Sequence, residues 1–186
     1  MKKITIYLML LSACVCLISC KKKETDIHPA NYEQLSELIG ETHTDVCEKL
    51  NVAEESLEEV VIGLYKTPIK VEYLDDFYDV LLEFDAQTND MYGFIYQQAF
   101  SNNDGNVNEE ITKLLENLIK SYGKPDTYQG LSPRLQEENV IEEKLEKDEV
   151  FSAYEVWNIA DDLEMYLKVS ADGKTNVTIQ IEYKAK

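Results

Sequence analysis

The chain has 186 residues, 44% of them hydrophobic, with 36 acidic against 18 basic side chains and a formal net charge of −18. That length suits one domain with a real core, and the apolar content argues against general disorder despite the charge. A field this negative repels phosphates, so the expectation is no nucleic-acid partner.

The chain opens on Met1-Lys2-Lys3, runs apolar from Ile4 to Ile18, and reaches Ser19-Cys20. A basic start and an apolar run of this length suit a secretory signal better than a spanning helix, which needs roughly twenty residues. The string Leu17-Ile18-Ser19-Cys20 resembles the bacterial lipoprotein lipobox, with Leu at −3, a small residue at −1 and Cys at +1. The resemblance implies a signal peptide over residues 1–19, cleavage before Cys20, diacylglycerol on that thiol and a further acyl chain such as palmitate on the new amine. Two or more chains hold a protein to a bilayer far more firmly than one. An uncleaved N-terminal anchor is the alternative. The expected location is the cell membrane or the outer membrane, with the domain outside the cytoplasm. Lys21 at the +2 position leaves the choice of membrane open.

Cleavage would leave 167 residues, and beyond Lys23 the chain carries 13 bases against all 36 acids, a balance of −23. Lys21 to Lys23 would meet anionic headgroups while the domain is repelled from them. Residues 20–30 read as a polar, lipidated tether in which His28 is solvated, and 31–186 as a single α+β domain. Cys14 and Cys16 would leave with the signal and Cys20 is the lipid site. Only Cys47 then remains, so neither an intramolecular disulfide nor a cysteine zinc cluster is expected.

Tyr32 to Ile39 has helical apolar spacing and stops at Gly40. Thr42 can cap a second helix with Asp45 at its third position, turning Val46, Cys47 and Leu50 inward. Val60 to Tyr65 opens a strand region. Ile69 to Tyr73 alternates, Asp75-Asp76 turns the chain, and Val80, Leu82 and Phe84 return it. Thr88-Asn89-Asp90 makes the next turn, and Met91 to Phe100 is a third run. After the polar loop Ser101 to Gly105, the stripe Ile111, Leu114, Leu115, Leu118, Ile119 and Tyr122 predicts a helix stopped by Gly123 and Pro125. Residues 131–149 are dense in acids and read as a charged surface helix or an insertion. Phe151 to Ile159, Leu163 to Val169 and Val177 to Tyr183 are three alternating strands turned at Asp161-Asp162 and Asp172-Gly173. The expected fold is α+β, an antiparallel sheet with helices on one face and two α-then-β halves near 32–100 and 107–184.

With Ile39-Gly40-Glu41-Thr42 leading to Asp45-Val46, and Tyr122-Gly123-Lys124-Pro125 before the second set of strands, this architecture is similar to the tandem helix-plus-sheet repeats of β-lactamase inhibitor protein and related small envelope lipoproteins. The likeness is one of fold, and fold does not imply function.

Few residues offer chemistry. His43 stands four residues before Cys47 at a helix start, where a thiol can be activated, so a small thiol enzyme or a two-ligand metal site is conceivable. Against this, a lone Cys in an apolar stripe is usually a buried hydrophobe. The acid pairs Asp75-Asp76 and Asp161-Asp162 read as turns. The loop Asn102 to Glu110 fails as an EF-hand, because Phe100 and Ile111 stand where the first acid and the last Glu are needed. No catalytic residue, cofactor or metal is expected.

Tyrosine is the abundant functional type, at twelve residues. Tyr92, Phe94 and Tyr96 share one strand face, and Tyr154 and Tyr166 lie on the less apolar faces of theirs. If these faces coincide on the wet side of the sheet, they form an aromatic patch ringed by acids, as at protein interfaces. The competing reading makes Tyr92, Phe94 and Tyr96 a core face. The sequence therefore points to a non-enzymatic lipoprotein binding another protein or a cell-wall component through Tyr154, Tyr166, Tyr92 and Tyr96. The alternatives are an immunity or inhibitor protein facing a basic toxin or enzyme, and the thiol enzyme using His43 and Cys47.

Overall fold

The computed structural model describes residues 27–101, 107–129, 150–173 and 176–186. Cys20 and residues 131–149 lie outside the described residues. Helix α1 covers Tyr32–Ser36 and is shorter than the apolar spacing suggested. The Ser36 hydroxyl donates back to the Glu33 carbonyl, and the chain turns on to Gly40 at φ +92. Helix α2, His43–Leu50, is capped as its sequence dictates, with the Thr42 hydroxyl oxygen accepting from the Asp45 amide at 3.4 Å. That oxygen also donates to the Asp45 carboxylate at 2.6 Å, so cap and acid hold each other. Helix α3, Val107–Tyr122, buries Ile111, Leu114, Leu115 and Leu118 along one stripe.

Eight strands form one antiparallel sheet: β1 Glu58–Val61, β2 Leu64–Tyr73, β3 Asp76–Phe84, β4 Met91–Ser101, β5 Thr127–Gln129, β6 Val150–Ala160, β7 Leu163–Asp172 and β8 Asn176–Ala185. Their order is β1-β2-β3-β4-β8-β7-β6-β5. Each run of four strands is a meander, and the last strand of each meets the other at the centre of the sheet. The fold is α+β, and the order reads the same outward from the β4–β8 seam.

One face of the sheet is the core. Val71, Tyr73, Val80, Leu82, Phe94, Trp157, Met165, Leu167, Ile181 and Tyr183 point into it, together with Leu35, Leu38, Val46 and the α3 stripe. Burial of this apolar surface is the main stabilising term. Trp157 also closes the end of α3, its Nε1 donating to the Gly123 carbonyl at 3.0 Å. In β2 the register slips between Lys66 and Lys70, where Pro68 has no amide to offer. Thr67 is buried there and repairs the ladder. Its hydroxyl donates to the Val80 carbonyl and accepts from the Ile69 amide, at 3.0 and 3.1 Å.

Two local expectations shift. The β2–β3 turn falls on Leu74-Asp75, both at positive φ, and Asp76 already belongs to β3. Residues 27–30 are also no loose tether. Pro29 is buried, the Tyr73 and Tyr122 hydroxyls donate to the Ile27 carbonyl at 3.2 and 3.3 Å, and the Tyr96 hydroxyl donates to the Ala30 carbonyl at 3.2 Å.

Candidate functional site

On the other side of the sheet, strand register brings a different set of residues together. Lys66, Asp79, Leu81 and Glu83 of the first meander line up with Ile95 and Gln97, then with Gln180, Glu182 and Lys184, and finally with Tyr166, Lys168, Tyr154 and Val156. The described helices turn Leu35, Val46 and the α3 stripe into the opposite core.

Its centre is an ionic lattice. Glu182 is only 1% exposed, and its carboxylate pairs with Lys168 on one side and with Lys184, at 2.6 Å, on the other. Lys184 also reaches Glu83 at 3.6 Å. Burial, with Lys184 nearby, lowers the pKa of Lys168. Lys66 pairs with Asp79 at 2.6 Å and holds that carboxyl below its ordinary range. Gln180 donates to Gln97 across the seam at 2.8 Å. Leu81 and Ile95 are buried on this face, where long side chains fold over the sheet.

Three tyrosines, all half-buried, stand over the lattice. Lys168 lies 5.2 Å from the ring centre of Tyr166, and Lys184 lies the same distance from that of Tyr92. Tyr154 and Tyr166 are neighbours with ring centres 6.4 Å apart. The Tyr166 hydroxyl donates to Glu164 at 2.6 Å, which raises its pKa, as burial beside Glu83 raises that of Tyr92. Tyr154, Tyr166 and Tyr92 thus share one face, as the sequence suggested.

Tyr96 does not join them. It is fully buried in the core with Phe94, which leaves it no surface for a partner. The cause is a register shift between Glu83 and Phe84, which puts Met91 and Phe94 on the core side and Tyr92 on the other. The core-face reading therefore holds for Phe94 and Tyr96 and fails for Tyr92. The ring of acids is also a mixture, because Lys66, Lys70, Lys168 and Lys184 interleave with them.

His28 departs furthest from its expected solvated place. Its ring stacks on Tyr32, with centres 3.6 Å apart and planes 4° from parallel. The Tyr122 hydroxyl lies 2.7 Å from Nδ1 and the Tyr183 hydroxyl 3.3 Å from it. Burial lowers the imidazole pKa to about 4.

The remaining candidates are placed as follows. Cys47 is buried, and burial, with Glu54 nearby, raises its thiol pKa, opposite to what a nucleophile needs. His43 packs against Tyr65 and Phe84, and no hydrogen bond joins it to Cys47 among the described residues. Asp161-Asp162 is the β6–β7 turn. Among the described residues no group of three His, Cys, Asp or Glu side chains is arranged to hold a metal, and no helix is long and apolar enough to cross a membrane.

Alternation in β7 and β8 could have located Lys168, Gln180, Glu182 and Lys184 as well, since these are their polar positions. The burial of Glu182 has no such signal, because it depends on lysines folding over it from two strands. Compared with protein-family models, curated proteins and solved structures, the chain matches none.

Proposed function

We propose that this chain is a cell-envelope lipoprotein, anchored through lipid on Cys20, whose domain binds another protein through the sheet face opposite its described helices. The observation that supports the reading is the seating of Tyr92, Tyr154 and Tyr166, half-exposed above a lattice of cross-strand ion pairs. Rings held this way lose little freedom on binding, and aromatic anchors of that kind carry much of the energy of protein interfaces. The reading is non-enzymatic, and the raised thiol pKa of Cys47 favours it over the thiol enzyme. The mirror order of the strands is in keeping with two related halves and with the likeness to tandem helix-plus-sheet inhibitors.

The test places a photo-crosslinking phenylalanine analogue at Tyr154 or Tyr166 in cells, with Thr112 on the exposed side of α3 as control. A discrete adduct from the two sheet positions and none from Thr112 is expected. No adduct, or the same adduct from all three, would remove the sheet-face reading.

A further inference from the structure

The sheet ends at β1, and this edge differs from the rest of the surface. Every residue of Glu58–Val61 is exposed. Val60, Val61 and Ile62 are 51%, 60% and 83% exposed, the longest run of exposed large hydrophobics among the described residues. No strand lies outside β1 among the described residues, so its outer edge is open. Natural sheets guard such an edge with charge, proline, bulges or short strands. Here the strand is four residues long, Glu58 and Glu59 charge it, and the register shifts between Glu59 and Val61, so a like-charged strand is turned away while the apolar stretch from Val60 to Ile62 stays exposed.

The tip is not a loose loop. The Phe84 amide donates to the Gly63 carbonyl at 2.7 Å, tying the β1–β2 turn to the end of β3. Gly63 sits at φ +79, and a Cβ there would meet the Phe84 carbonyl oxygen at 2.5 Å, so the turn admits only glycine. The apolar edge is presented in a fixed shape.

The charges around it select the occupant. Glu54, Glu55, Glu58 and Glu59 border the edge, and there is no Lys or Arg from Asn51 to Tyr65. A second copy pairing edge to edge would bring the same four glutamates from each chain together. An anionic bilayer would repel them as well. We propose that β1 is a docking edge for an extended, basic segment of a partner protein, which adds a strand beside Glu58–Val61 and covers Val60, Val61 and Ile62. Main-chain pairing supplies affinity in this mode and alternate side chains supply selection, here lysine or arginine toward the glutamates. This rests on the edge alone and not on the tyrosine face, so either surface can fail without the other.

Hydrogen exchange of the full chain in detergent micelles, read with and without an alternating Lys–Val heptapeptide, tests it. The expected result is at least about five-fold slower exchange confined to residues 57–64, weakening as salt rises. An alternating Glu–Val peptide, or a Lys–Val peptide interrupted by proline, should give none. Val61→Lys and Ile62→Lys, at positions outside the core, should abolish the protection and leave the melting temperature unchanged. Protection spread over β6 and β7 instead would overturn the proposal. So would equal protection by the proline peptide, by anionic vesicles alone, or by raising the protein concentration without peptide.

Discussion

The imidazole of His28 lies flat on Tyr32 and within reach of the Tyr122 and Tyr183 hydroxyls, three uncharged neighbours that stabilise a neutral ring. Its pKa falls to about 4 from an ordinary 6.5, so the unfolded or undocked chain binds the proton more tightly. Stability contributed by this site is complete above pH 6.5 and is lost as pH falls through 4. The loss amounts to about 1–2 kcal/mol once screening at a half-exposed ring is allowed for. A proton NMR titration of the ring should show a midpoint near 4, and a midpoint near 6.5 would mean that residues 27–30 are not docked. Cys47 makes the complementary case. Cys47→Ala should cost on the order of 1 kcal/mol through a small cavity and leave function unchanged. Thiol labelling of the native protein should be slow and should accelerate only on unfolding. Rapid labelling would revive the nucleophile.

At the scale of elements, the β4–β8 seam depends on one residue without a side chain. A Cβ on Gly93 would lie 2.7 Å from Glu83 Oε2 and 2.8 Å from the Tyr183 carbonyl oxygen. Gly93→Ala should therefore destabilise the domain by about 1–3 kcal/mol in thermal unfolding. Adding Glu83→Ala should restore only part of this, since the backbone oxygen remains. Full restoration would mean that the two meanders can part at the seam without cost. The same strand shows where the sequence was readable and where it was not. Thr42-Asp45, the α3 stripe and the alternation of β7 and β8 follow local rules and were legible. Met91 to Phe100 spaces its aromatics evenly at 92, 94 and 96, but the register shift opposite Glu83 and Phe84 turned Tyr92 away from the other two. Leu74 at positive φ gave no turn signal, because leucine has no preference for it. His28 looked like tether because its burial comes from Tyr122 and Tyr183, residues far along the chain that only the folded sheet brings near.

At the scale of the whole molecule, docking of residues 27–30 bears on how the domain would sit above a membrane. Under the lipoprotein reading, the lipid is on Cys20, and the Ile27 carbonyl is held by Tyr73 and Tyr122. Seven residue steps, fully extended, span at most about 25 Å. The domain would then ride close to the surface despite its negative charge, with the end of α3 nearest the lipid. Trp157 is the only tryptophan and bonds Gly123, the residue after Tyr122, so it reports on that end. Energy transfer from Trp157 to a dansyl-labelled headgroup lipid should be efficient in the wild type. Cys20→Ser should abolish both the transfer and detergent partitioning while the melting temperature stays the same, because the substitution lies seven residues before Ile27, where docking on the domain begins among the described residues. His28→Ala, which loosens the docked segment but keeps the lipid, should lower the transfer and leave partitioning intact. A wild-type protein that enters buffer freely would sink the anchor itself. Transfer unaffected by His28→Ala would show that the tether, and not the tyrosine clasp, sets the height of the domain.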